Sequence, residues 1–149
     1  MTSIIELNGG AKLKYESTYA GVVITGVADG CPANLAIPAE IAGRPVVEIG
    51  DSAFSGCSSL TAITLPEGIT KIGEGAFEGC SSLTAITLPE GITEIGEGAF
   101  YGCSSLETIN IPTSVITVGD SAFANCPRLK NQTLPATVVN VGENVFDGD

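Results

Sequence analysis

Five cysteines and no histidine make up the reactive inventory of this 149-residue chain. Cys57, Cys80, Cys103 and Cys126 recur every 23 residues, and Cys31 stands outside that spacing. Thiols could bind zinc, act as nucleophiles or form disulfides. Zinc needs tetrahedral convergence and short paired spacings such as CxxC, and neither is present. With no histidine, a nucleophilic thiol would need a lysine, a carboxylate or a second cysteine as its base. There is also no P-loop and no GxGxxG after a strand, so enzyme activity is not expected. Stacked turns about 5 Å apart lie within the Cα range that a disulfide permits. Four identical side chains in one column nevertheless point into the same wall, and the column reads as a ladder of buried thiols packing as small hydrophobes. Cys31 is expected to be a thiol as well. A second column is acidic: Asp51, Glu74, Glu97, Asp120 and Glu143. Carboxylates this close repel one another unless screened, or unless a cation such as Ca²⁺ sits among them. N-capping is the structural explanation, each carboxylate accepting backbone N–H bonds of its own turn.

The elements that must carry these columns keep the same period. Phe54, Phe77, Phe100, Phe123 and Phe146 are also 23 residues apart. A fixed period in the twenties indicates a solenoid, one supersecondary unit per coil. Ser58–Cys80 and Ser81–Cys103 differ only at Lys71/Glu94 and Glu78/Tyr101, while the following units drift. The core columns are Leu60, Leu83, Leu106 and Leu129; Ile63, Ile86 and Ile109; Leu65, Leu88, Ile111 and Leu134; Ile69, Ile92, Val115 and Val138; and Ile49, Ile72, Ile95, Val118 and Val141. Alternation around Ile63 and Leu65 predicts a strand, and the β-branched Ile69–Ile72 segment a second short one. GEGAFEG is expected to form a single helical turn carrying Phe inward. The invariant Gly50, Gly73, Gly96, Gly119 and Gly142 imply positive φ or close backbone approach. Gly56, Gly79, Gly102, Asn125 and Gly148 suit a left-handed stop before each cysteine position.

The pattern LxxIxLPxxIxxIGxxAFxxC resembles the BspA-like, or Treponema pallidum-type, leucine-rich repeat, over about Ile49 to Asp149. Leu35–Cys57 is similar to the family's opening repeat, with extra residues between Pro38 and Ile49. The resemblance implies a right-handed leucine-rich repeat superhelix, an α/β solenoid that is mostly β with short helical turns and about 23 residues per repeat. It also implies a non-catalytic, surface-exposed or secreted protein that binds host proteins or other cells. Residues 1–48 form the expected N-terminal cap and opening repeat, with a hairpin around Asn8-Gly9-Gly10 and a strand over Tyr19–Val27. Residues 49–149 form the solenoid, in one structural domain overall.

Composition narrows the partners. The net charge of −11 disfavours nucleic acid and anionic membrane surfaces. No apolar run approaches the roughly 20 residues that span a bilayer. No cofactor is implied, and a protein or glycan partner remains. The candidate binding face comprises the outward residues of the main strands: Ala62 and Thr64, Ala85 and Thr87, Thr108 and Asn110, Asn131 and Thr133. It is small and uncharged and lacks the aromatic or Arg anchors common at hot spots. The variable edge positions Glu78, Tyr101, Ala124 and Asp147 are the second candidate, with Tyr101 its one aromatic. Lys71 is expected to bridge Glu48 and Glu94. Gln132 replaces an apolar residue in the Ile63 column, which fits a solvated last coil; that end could be cut from a longer array, close on itself, or pair into a homodimer. The rival to a binding module is a structural or engineered repeat scaffold with no ligand of its own, which the near-identity of two adjacent units favours.

Overall fold

A computed structural model describes residues 2–130 and 132–147. The first elements are β1 (Ser3–Glu6), β2 (Lys12–Ser17) and β3 (Val22–Ala28), an antiparallel meander whose first turn carries Asn8-Gly9-Gly10. The repeats begin with β4 (Asn34–Ala36), β5 (Glu40–Ile41) and β6 (Arg44–Ile49). Then each unit contributes a three-residue and a two-residue strand: β7 (Ala62–Thr64) and β8 (Lys71–Ile72), β9 (Ala85–Thr87) and β10 (Glu94–Ile95), β11 (Thr108–Asn110) and β12 (Thr117–Val118). The last strand is β13 (Asn140–Val141).

Two sheets result. One runs β1-β2-β3-β6-β8-β10-β12-β13, so the antiparallel cap continues directly into the parallel wall of the solenoid. The other runs β11-β9-β7-β4. Register follows the 23-residue period: Lys71 faces Glu94, Glu94 faces Thr117, and Ala85 faces Thr108. The first coil departs from it, with Asn34 opposite Ala62. The tight β5–β6 hairpin, turning through Ala42 and Gly43 at φ 54° and 77°, takes up the extra residues between Pro38 and Ile49. A strand expected around Gln132 does not form; that side chain is half-buried and its Nε2 donates to the Thr133 carbonyl at 3.2 Å.

The third wall corrects the expected helical turn: no helix occurs among the described residues, and the solenoid is all-β with a wall of turns. Within 50–57, Ala53, Ser55 and Cys57 donate N–H to Gly50, Ser52 and Phe54 of the same coil, at 3.1–3.2 Å. The alternate residues Ser52, Phe54 and Gly56 donate instead to Glu74, Ala76 and Glu78 of the next coil, at 2.7–2.8 Å. A helix would spend all these donors locally; this wall spends every second one between coils. The alternation is achieved by two left-handed columns. One is the expected Gly56, Gly79, Gly102 and Asn125, at φ 57–75°, with Gly148 outside the described residues. The other, Ser52, Gly75, Gly98, Ser121 and Asn144 at φ 56–60°, was not foreseen. The invariant glycines before it serve close approach rather than positive φ. A Cβ on Gly96 would lie 2.7 Å from Glu74 N and Gly73 C.

Inside the three walls the columns pack as read from the sequence up to the last coil, where Val141 is 54% exposed and Leu134 and Val138 are only partly buried. Phe54, Phe77, Phe100 and Phe123 are fully buried and, with Phe146, stack at ring-centroid distances of 5.2–5.5 Å with near-parallel planes. Among the described residues no polar side chain is buried in this core.

Candidate functional site

The four-stranded sheet presents one row of outward side chains per coil. Ala62, Thr64, Ala85, Thr87 and Thr108 are exposed, while the intervening Ile63, Ile86 and Ile109 are buried. Thr64 and Thr87 face each other in register, and a hollow of about 330 Å³ lies between Thr64, Leu65, Glu67, Ala85, Thr87 and Pro89. Among the described residues the Thr64, Thr87 and Thr108 hydroxyls make no side-chain hydrogen bond, which leaves each as a donor and acceptor for a ligand.

Asn110 is different. Its Oδ1 accepts the Leu88 N–H at 2.7 Å, and its Nδ2 donates to the Leu88 carbonyl at 2.9 Å. The amide thus substitutes for a backbone pair between coils, and Asn110, exposed opposite Thr87, clamps the coils from the same face. Ser114 makes a similar clamp, accepting from Gly91 N–H and donating to the Ile92 carbonyl. Asn110→Ala is expected to cost about 1–2 kcal/mol, because it leaves the Leu88 amide groups unpaired. Urea unfolding measures this, and binding through the threonines should persist. Asn131, the next position in the row, lies outside the described residues, and Thr133 is exposed but not on a strand.

The edge positions separate. Tyr101 is 38% exposed, but it belongs to the turn wall, where its carbonyl accepts the Gly79 N–H. Glu78 and Asp147 are exposed on the same wall, whereas Ala124 is buried and cannot contact a partner. Thus the structure joins Ala62, Thr64, Ala85, Thr87, Thr108 and Asn110 into one face and places Tyr101 on another. Lys71 Nζ lies 3.9 Å from Glu94 Oε2, while burial raises the Glu48 pKa and the facing Lys71 charge opposes that rise. Such a half-exposed pair adds only about 0–1 kcal/mol.

The acidic column stays at the surface, and the carboxylates with assigned partners do not cap their own turns. Asp51 Oδ1 accepts the N–H of Glu74, and Asp120 Oδ1 that of Glu143, at 2.9 and 2.8 Å. These aspartates link neighbouring coils, because the local donors are already committed. Among the described residues no group of three His, Cys, Asp or Glu side chains has an arrangement that could hold a metal.

The thiol column is buried: Cys80, Cys103 and Cys126 each donate Sγ–H to the carbonyl of Phe54, Phe77 and Phe100, at 3.1–3.2 Å. Desolvation pushes the Cys80 pKa up to about 12, so this thiol stays protonated and unreactive at neutral pH.

Stacked 23-residue coils, a strand face of small polar residues and a stacked phenylalanine spine define a leucine-rich repeat solenoid. The chain belongs to the family of BspA type leucine rich repeat regions, whose model matches six copies over residues 34–149. Its fold is similar to the crystal structure of the T. pallidum leucine rich repeat protein, at 37% identity and a TM-score of 0.87, covering 91% of this chain and 64% of that one. A leucine-rich repeat protein from Bacteroides ovatus superposes with a TM-score of 0.82 at 33% identity, over 90% of this chain and 37% of the other. One from Bacteroides capillosus matches at 26% identity and a TM-score of 0.69, over 95% and 98% of the two chains. The chain therefore spans under two thirds of the first two relatives. No curated protein gives a match. Leucine-rich repeat proteins generally bind other molecules and are generally non-catalytic.

Proposed function

We propose that this chain is a non-catalytic recognition module that binds a protein or glycan through the face of β7, β9 and β11, at the cell surface or after secretion. The observation that carries this reading is the in-register row Ala62/Thr64, Ala85/Thr87 and Thr108, exposed, uncharged and with unspent hydroxyls beside a shallow hollow. Such a face suits a neutral, hydrogen-bonding ligand. A polyanion is disfavoured by the net charge of −11. No helix of the described residues is long and apolar enough to cross a membrane.

The test is a screen of immobilised glycans and extracellular proteins with the native chain, repeated with Thr87→Arg and Tyr101→Ala. Thr87→Arg fills the hollow while leaving the buried columns untouched, so its melting curve should match the native one. Expected is at least a tenfold loss of binding with Thr87→Arg and native binding with Tyr101→Ala. The reverse pattern would move the contact to the turn wall. A ligand bound equally by all three contradicts the reading.

The scaffold reading has one observation of its own. Among the described residues β13 pairs with β12 alone, and Val139 before it and Val141 within it are 75% and 54% exposed. That edge suits strand pairing with a second copy. Light scattering that finds only monomer at high micromolar concentration removes self-association.

A further inference from the structure

The N-terminal cap extends one sheet of the solenoid and not the other. β3, β2 and β1 continue the long sheet beyond β6, whereas the four-stranded sheet stops at β4. β4 is bonded along one side, to β7. Ala33 O accepts the Thr61 and Ala62 N–H groups at 2.7 and 3.2 Å, and Ile37 N–H donates to Thr64 O at 2.9 Å. In a parallel ladder, alternate residues turn both backbone groups to the same neighbour. Ala33, Leu35 and Ile37 therefore face β7, and the N–H and C=O groups of Asn34 and Ala36 point to the open edge. The cap approaches that edge without pairing to it. The turn between β1 and β2 closes on itself, Leu7 N–H donating to Ala11 O at 2.7 Å and Gly10 N–H to Leu7 O at 3.0 Å. Among the described residues no backbone hydrogen bond joins this turn to β4. A hollow of about 380 Å³ lies between them, with Leu7, Asn8 and Ala11 on one side and Asn34, Ile37 and Pro38 on the other. That volume falls in the range of ligand pockets, about 300–1,000 Å³. No residue lining the hollow is charged, in a chain with 17 acidic and 6 basic side chains. The Asn8 and Asn34 carboxamides are exposed at its rim and make no side-chain hydrogen bond among the described residues.

We propose that the β4 edge takes up an extended, uncharged peptide segment of a partner protein, which adds a fifth strand to the four-stranded sheet. The peptide backbone exchanges hydrogen bonds with the outward N–H and C=O groups of Asn34 and Ala36, continuing the ladder by which β7, β9 and β11 are already joined. Alternate side chains of the peptide enter the hollow against Leu7, Ala11 and Ile37, and the others point outward beside Asn34 and Ala36. The uncharged lining selects against Asp, Glu, Lys and Arg at the inward positions, where a charge would lose its water without gaining a partner. Pro32 and Pro38 lack N–H groups and bound the usable edge to residues 33–37. The site goes beyond the threonine face: its contacts are backbone groups at the sheet edge, and neither site needs the other.

The experiment screens the whole chain against an immobilised library of pentapeptides, blocked at both termini, with every residue type at every position. Expected are bound sequences with apolar, uncharged residues at alternate positions. With the best binder, NMR of the labelled chain should show slowed exchange of the Asn34 and Ala36 amide protons and unmoved Thr87 and Thr108 signals. Ala36→Pro removes one outward N–H and no bond to β7. It should melt like the native chain and bind the peptide about tenfold more weakly, as expected for one lost hydrogen bond. Thr87→Arg should bind this peptide as the native chain does, which separates failure of the edge site from failure of the threonine face. N-methylation of the peptide at alternate amides should abolish binding in one of the two registers and spare it in the other. That comparison uses the native chain and decides the matter even if Ala36→Pro folds poorly. A library that selects nothing, shifts confined to the threonine face, or equal binding by both N-methylated peptides would overturn the proposal. So would a neutral oligosaccharide that perturbs Asn8 and Asn34 where no peptide does.

Discussion

Gly96→Ala is expected to destabilise the protein by about 3 kcal/mol or more, at the upper end of what one added methyl costs in a packed interior. The reason lies between coils rather than within one. The new Cβ would sit 2.7 Å from both Glu74 N and Gly73 C and 2.9 Å from Gly73 O, all backbone atoms of the preceding coil. None can swing away as a side chain would. To admit the methyl, the coils must separate where Gly96 N–H donates to Ile72 O at 2.8 Å and where Ile95 pairs with Ile72. Gly98→Ala, two residues on, is the matched control. Gly98 has φ +60°, but its Cβ would find only Tyr101 Cβ at 3.8 Å, and serine occupies the equivalent position at Ser52 and Ser121. It should cost only the left-handed backbone penalty, about 1–2 kcal/mol. In urea unfolding the two midpoints should differ clearly. Equal losses would mean that inter-coil contact does not set the glycine column.

Phe100→Ala should be still more damaging, at about 3–5 kcal/mol. Its ring is fully buried between Phe77, at 5.2 Å and 5°, and Phe123, at 5.4 Å and 3°. Truncation leaves a void in the spine and removes both stacking contacts, each contributing about 0.5–1.5 kcal/mol beyond area burial. In a solenoid, coils are stabilised chiefly by their neighbours, so a central defect weakens two interfaces at once. Phe146→Ala touches only one, since that ring is half-buried and stacks on Phe123 alone. Its loss should be about half as large. Out of a total stability of about 5–15 kcal/mol, Phe100→Ala takes a large share, and its melt should also lose cooperativity.

Which parts of this architecture could be read from the chain follows from how far each interaction reaches. The buried columns were legible because burial repeats with the period: Leu60, Ile63, Phe77 and Cys80 need no knowledge of their neighbours. The close-approach role of Gly96 was one of two readings, and choosing between them needed the adjacent coil. GEGAFEG looked like a helical turn because local patterning cannot show that alternate N–H groups bond to the next coil. For the same reason Asp51 and Asp120 looked like caps of their own turns. The second left-handed column was hidden by Ser52 and Ser121, residue types that do not announce positive φ. On the candidate face, the threonines were legible as outward strand positions. Asn110 was legible as an outward strand position, but its amide bonds reach back 22 residues to Leu88, a contact that a strand pattern does not encode. Ala124 was misassigned for a similar reason: variation between repeats marked it as an edge, while packing buries it.

All of this rests on one claim, that the chain is a stack of 23-residue coils held by their neighbours. The measurement that tests it most directly is a pair of deletions compared by thermal and urea unfolding. Removing Ser81–Cys103 takes out one whole unit and returns every column to register. Removing Ser82–Cys103 takes one residue fewer and shifts each later column by one position. The stack predicts a folded, cooperatively melting protein of somewhat lower stability from the first deletion. From the second it predicts loss of folding beyond Cys80. Two deletions that melt alike, or a whole-unit deletion that fails to fold, would contradict it.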